Sequence, residues 1–209
     1  MNRQEIKAKA KELAFNNKWV IWKPYLIIFG ISFLFGLVMG YFGIDTEHGI
    51  GALLASALEI ALIPASIGYI YYVIKFVNGE VMDVKEALLS KYKLFGLILV
   101  TSIMVGLFTT LWTLLLIIPG LIYAYKVSMV NYILADTADK NTKWKDVINQ
   151  SKEMMNGYKM DYFIFGLSFF GWILLSIVTL GIAIIWVYPY MTVAQVMYYQ
   201  ELKKIKKIK

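Results

Sequence analysis

Hydrophobic positions in this chain lie in long unbroken runs, not in the alternating or 3.6-period stripes that build a soluble core. Runs occupy 25–44, 49–76, 94–117 and 120–135, and a last one extends from Tyr162 to Tyr199. A helix rises 1.5 Å per residue, so about 20 apolar residues cross the roughly 30 Å hydrocarbon layer. The last run is too long for one crossing and too uncharged to hold a soluble loop. It must fold back, with Leu180–Gly181 as the best turn, giving spans over 162–179 and 182–199. The fourth run is near the lower limit and reads as either a full crossing or a re-entrant segment.

Polar punctuation divides these runs. Pro24 suits the first position of a helix, and Asp45, Glu47 and His48 form a loop after it. Pro64 inside the second run predicts a kink or tilt, and Pro119–Gly120 predicts a tight turn between the third and fourth. Three amphipathic stretches remain. Residues 1–23 read as an interfacial basic helix, with Asn2 as cap, Glu5 three residues on, Ile6, Ala10 and Leu13 on one face, and Trp19 and Trp22 in the headgroup zone. Residues 83–93 start at a capping Asp83 with Glu86 three residues later and carry Val84, Leu88 and Tyr92 on one side. Residues 142–156 carry Trp144, Val147, Ile148 and Met155, continue toward Tyr158, and stop at Asn156–Gly157. The fold expected is all-α: one polytopic membrane helix bundle over 1–209, with about six transmembrane helices in three hairpins, amphipathic surface helices at 83–93 and 142–156, and a basic tail at 200–209.

Composition supports a lipid solvent, because 59% hydrophobic and 17% charged residues in 209 exceed what one soluble domain can bury. The formal charge of +7 turns on where the charges sit. Of 21 basic residues, all but Lys126 fall in the N-terminal stretch, the surface helices and their flanks, or the C-terminal tail, and none in the three opposite loops. The positive-inside rule then puts both termini and the surface helices in the cytoplasm. Anionic lipid headgroups are the expected partner of this belt, at about 1 kcal/mol per juxtamembrane lysine, and nucleic acid is not. The N-terminal stretch lacks a small-residue cleavage site, so the first span is expected to be retained. Gly36 with Gly40, and Gly51 with Ala55, are small-xxx-small pairs that fit close helix packing, and the first equally fits a homodimer; a homo-oligomer or a membrane-protein partner is open beside the lipid.

Candidate chemistry is sparse. With no cysteine there is no disulfide, thiolate metal site or cysteine nucleophile. His48 is the single histidine, so neither a histidine metal cluster nor a Ser–His–Asp triad can be assembled in the membrane. No cofactor or metal is expected, and Glu59, Asp45 and Glu47 are what remains for any acid–base role. Glu59 and Lys126 are the intramembrane charges, functional suspects by their cost. Glu59 lies about 14 Å below the outer end of the second span and Lys126 about 10 Å below Pro119, so the two can meet. A meeting pair is a structural ion pair or the lining of a polar cavity; a lone Lys126 would snorkel. Ser128 and Asn131 add hydroxyl and amide groups beside Lys126, for a site or for interhelical hydrogen bonds. Tyr125, and Tyr188 and Tyr190 around Pro189, read the same two ways, and Pro64 and Pro189 fit broken transporter helices or ordinary kinks. The expectation is a non-enzymatic membrane accessory or interaction protein. The alternative is a small transporter or lipid-handling protein using the polar site Glu59, Lys126, Ser128 and Asn131.

The stretches LLLIIPGLIYAYKVSMVNYILAD, QSKEMMNGYKMD and LSFFGWILLSIVTLGIAIIWVYPY are similar to an uncharacterised bacterial integral-membrane family, domain of unknown function 975. The resemblance is read over most of the chain from the second span onward. It implies a six-helix topology in a bacterial plasma membrane and carries over no catalytic or binding residue. A fainter internal echo also exists: Ile63–Pro64 and Ile118–Pro119 each precede a tyrosine-rich helix and then an amphipathic segment ending in Lys91–Tyr92–Lys93 or Tyr158–Lys159. Duplication and shared composition both account for it.

Overall fold

A computed structural model describes residues 2–208; Met1 and the last lysine of the tail, Lys209, lie outside the described residues. The described residues are all-helical, without strand. In chain order the helices are α1 (Arg3–Asn16), α2 (Lys18–Tyr41), α3 (Gly49–Val77), α4 (Val84–Ser90), a 3-10 turn (Lys91–Leu94), α5 (Phe95–Leu115), α6 (Ile117–Lys126), α7 (Val130–Asp136), α8 (Trp144–Met154), α9 (Lys159–Leu167), α10 (Phe170–Val178) and α11 (Ile184–Ile205). Five helical segments are long and apolar enough to cross a membrane: Lys18–Tyr41, Gly49–Val77, Val84–Leu115, Ile117–Asp136 and Lys159–Val178. The stretch 182–199 expected as a sixth becomes α11, which runs on into Glu201, Lys203 and Lys204.

Several expected boundaries move. The N-terminal stretch breaks at Asn17, so Lys18 to Lys23 belong to the helix that continues into the first apolar run, and Pro24 lies inside α2 instead of opening it. Asn2 does cap α1, accepting from the Glu5 backbone N–H at 3.2 Å, but Ile6, Ala10 and Ala14 bury their face against α11. Leu13 is only half-buried. Pro119 does not end a helix. Leu116 is extended (φ −159°, ψ 137°) and starts α6, so Pro119 falls in the first turn, where a missing N–H costs nothing. A β-carbon on Gly120 would collide with Thr113, which is how α5 and α6 close their turn.

The fourth and fifth apolar runs each contain an interruption. The helix stops at Lys126 and restarts at Val130, and again stops at Leu167 and restarts at Phe170. The turn at Leu180–Gly181 is where it was expected. Gly181 takes φ +89° and its N–H bonds to the Ser176 carbonyl at 2.8 Å.

Burial is uneven along the helices. The core is drawn from α1, the start of α2, the second half of α3, Leu88 of α4, the first turns of α5, Tyr123 of α6, then α7, α8, α9 and the second half of α11. The other halves of α2, α3 and α5, with most of α10, expose large apolar side chains such as Phe33, Leu37, Leu53, Leu107 and Ile177. Tyrosines supply much of the packed end: Tyr25 stacks on Tyr188 at 4.7 Å and Tyr132 on Tyr199 at 5.6 Å. The two amphipathic segments both fold back on the helix before them, α4 on α3 and α8 on α7. In α4 the buried pair is Ala87 and Leu88, while Val84 is half-buried, and Tyr92 in the 3-10 turn that follows is exposed.

The loop between α7 and α8 is held by Asp139. Its carboxylate accepts from the Asn141 and Thr142 backbone N–H groups, both at 2.9 Å, and from the Thr142 hydroxyl at 2.8 Å. The Thr142 hydroxyl, then the backbone donors, stabilise the ionised form and lower its pKa. A depressed carboxylate pKa adds stability above the unfolded value, and that stability is lost as pH falls through the folded one. Amide exchange at Asn141 and Thr142 is therefore expected to stay slow down to about pH 4 and to accelerate below it, beyond the intrinsic pH dependence. In Asp139→Asn that step should vanish.

Candidate functional site

The four polar residues singled out within the apolar runs do not form one site: Ser128 and Asn131 share a groove whose lining includes neither Glu59 nor Lys126. Glu59 is exposed on α3 and has no hydrogen-bond or ion-pair partner among the described residues. Lys126 is half-buried at the end of α6, and α6 packs on α5 and α9. The expected Glu59–Lys126 pair is absent from the ion pairs of the described residues, which are Arg3–Asp161, Lys9–Glu5, His48–Asp45, Lys75–Glu80 and Lys203–Asp136. Counting residues along a span compares depths but does not specify which face of the helix a side chain occupies.

Ser128 and Asn131 do come together. They line an open groove of about 430 Å³ with Ala124, Val127 and Val130, facing Ser102, Val105, Gly106 and Thr109 of α5. The Ser128 hydroxyl donates to the Tyr125 carbonyl at 3.0 Å, and Asn131 is exposed. Ser102 and Thr109 had no sequence signal, since single hydroxyls in an apolar run are ordinary.

The interruption beside this groove has its own chemistry. Breaking a helix leaves the Met129 N–H and the Lys126 carbonyl without an intrahelical partner. Ser151 of α8 meets both: its Oγ accepts from Met129 at 3.2 Å and donates to Lys126 at 2.9 Å, with the residue fully buried. The second interruption is met from α1, where Lys7 Nζ donates to the Ser168 carbonyl at 2.8 Å and lies 4.8 Å from the Phe169 ring centroid. Partial burial lowers the pKa of this amine. Both breaks are thus completed by side chains from amphipathic helices.

A third constellation sits where α3, α7 and α11 end together. Asp136 accepts from Lys203 Nζ at 2.6 Å and from the Tyr199 hydroxyl at 3.0 Å. The Tyr132 hydroxyl donates to Gln195 at 2.8 Å, and Gln200 donates its amide to Asn78 at 2.8 Å, tying α11 to α7 and α3. Nearby, Lys75 pairs with Glu80 at 2.7 Å, and Lys91, 8% exposed, rests 4.4 Å from the Tyr71 ring centroid. The basic tail signalled charge here, but Asp136, Tyr199 and Gln200 gave no hint in the sequence that they would converge.

Residues 113–206 match the family model described as Protein of unknown function (DUF975). This supports the resemblance drawn from the sequence and narrows it, because the match begins near the end of α5 instead of at the second span. No curated protein and no solved structure matches the chain.

Proposed function

We propose that this chain, with a domain of unknown function over its C-terminal part, is a non-enzymatic polytopic protein of the bacterial plasma membrane that acts as an accessory or interaction protein at the cytoplasmic face. It crosses six times in three hairpins, with α11 as the sixth crossing, and both termini, α4 and α8 lie on the cytoplasmic side. The observation that carries this reading is the coincidence of the packed core with the basic end. α1, α8, the C-terminal turns of α3 and α7 and the tail of α11 gather there, and four of the ion pairs, all but His48–Asp45, involve residues of these elements or their flanks. The apolar surface beyond is lipid-facing in this reading, which accounts for exposed Leu, Ile and Phe that water would not tolerate in such numbers.

A second reading, a small transporter or lipid-handling protein, draws support from one feature: the interrupted fourth run beside a groove containing Ser102, Thr109, Ser128 and Asn131. The absence of native cysteine separates the two. Single cysteines at Ser102 and Ser128, with a control at Thr46, are to be exposed to a membrane-impermeant thiol reagent in intact cells. Labelling at Thr46 alone is the expected outcome. Labelling of Ser102→Cys and Ser128→Cys, protected by added solute, would replace the accessory reading with the transporter one. A cysteine at Asn141 that labels from outside would reverse the proposed orientation.

A further inference from the structure

We infer that the pocket between the end of α3 and the last turns of α11 is a binding site for the headgroup of one anionic phospholipid. The inference rests on the cytoplasmic, membrane-embedded reading above and makes one part of that surface specific. The pocket measures about 640 Å³, within the range of small-ligand sites. Its walls divide by chemistry: Ile74, Val77, Met197 and Ile208 are apolar, while Asn78, Gln200, Asp136, Lys203, Lys204 and Lys207 are polar or charged.

The cations are not equivalent. Lys203 is committed to Asp136, whose charge is also met by the Tyr199 hydroxyl. Lys204 and Lys207 line the same pocket with no hydrogen-bond or ion-pair partner for their amines among the described residues, leaving two ammonium groups over a neutralised carboxylate. The Gln200–Asn78 bond fixes one edge and leaves the Asn78 amide N–H groups to donate. The shared demand is a phosphate: an anion with several acceptor oxygens for Lys204, Lys207 and Asn78.

Two features select a lipid over a free phosphate. Four apolar side chains offer nothing to inorganic phosphate but suit the glycerol and first methylenes of an acyl chain, and basic pockets between helices at the cytoplasmic boundary favour acidic headgroups. The end of α11 is also shaped toward the pocket. Lys207 takes φ +52°, the left-handed conformation usually left to glycine at a helix terminus, and the Ile208 N–H closes back on the Lys203 carbonyl at 3.1 Å. This turn brings both Lys207 and Ile208 into the lining at a backbone cost that a glycine would avoid.

That strain supplies a clean variant. Lys207→Gly removes the cation while relaxing the backbone, so it should fold at least as well as the native chain; Lys204→Gln removes the second cation at an exposed site. The full-length protein in neutral detergent is to be titrated with phosphatidylglycerol, phosphatidylcholine or inorganic phosphate, reading the thermal unfolding midpoint. Phosphatidylglycerol alone is expected to raise it, with the double variant Lys204→Gln/Lys207→Gly needing roughly thirtyfold more lipid for the same rise. If phosphatidylglycerol stabilises native and double variant alike, this pocket is not the site, though the basic face still attracts acidic lipid. If phosphatidylcholine works as well, both the pocket and the acidic-lipid reading of that face fall. Stabilisation by inorganic phosphate at equal concentration would overturn the lipid assignment.

Discussion

Replacing Gly68 by alanine will cost this protein about 2–3 kcal/mol and lower its unfolding midpoint in detergent by several degrees, although alanine is the better helix former. Gly68 lies in the buried half of α3, directly against α4. A β-carbon there would stand 2.6 Å from the Ala87 carbonyl oxygen and 2.9 Å from the Leu88 Cα and carbonyl oxygen. All three are backbone atoms and cannot rotate away, so α4 must retreat as a unit and take Ala87 and Leu88 out of their contacts. Helix propensity returns only about 0.5–1 kcal/mol, too little to reverse the sign. Gly36→Ala is the matched control: its β-carbon meets nothing within 4 Å, so propensity acts alone and a small gain is expected. Equal midpoints for the two variants would mean that α4 does not pack on α3 in this way.

Ser151→Ala should be comparably severe, at about 3 kcal/mol, because one hydroxyl serves two backbone groups. Met129 N–H and the Lys126 carbonyl have no backbone partner across the break among the described residues, and Ser151 Oγ bonds both. Leaving a buried polar group unsatisfied costs about 1–3 kcal/mol, and at this fully buried position no solvent stands in for the lost hydroxyl. Ser90→Ala is the comparison. Its hydroxyl donates to the Ala87 carbonyl within its own helix at 2.7 Å, so its removal should cost less than about 0.5 kcal/mol. Unfolding midpoints of the two variants in the same detergent test this directly. A Ser151→Ala protein as stable as the native one would show that the helix can run through 127–129 unbroken.

Much of the fold was legible because its signals are local. An apolar run long enough to cross a membrane needs no partner to be recognised, and the glycine of Leu180–Gly181 marks a left-handed turn from its own backbone freedom. Asn2 and Asp83 were readable as caps for the same reason; each side chain accepts from the backbone N–H three residues on. The interruption at 127–129 was not readable. Val127, Ser128 and Met129 contain neither proline nor glycine, and what completes the break is a serine 22 residues beyond Met129. Pro119 misled in the opposite direction, since proline marks a boundary without saying on which side of it the helix lies.

The candidate site divides in the same way. Ser128 and Asn131, close in sequence, stayed together; Glu59 and Lys126, paired by depth, did not. By itself the sequence determined that the chain is helical, where the apolar runs fall and that its basic residues avoid three of the loops, because hydrophobic run length and charge placement are properties of the chain before it folds. Only the tertiary structure decided which face of each helix is covered, which broken backbone is rescued by which side chain, and that Asn78, Asp136 and the α11 lysines share one pocket. Those choices depend on rotation about helix axes and on contacts between distant segments, which no local pattern specifies.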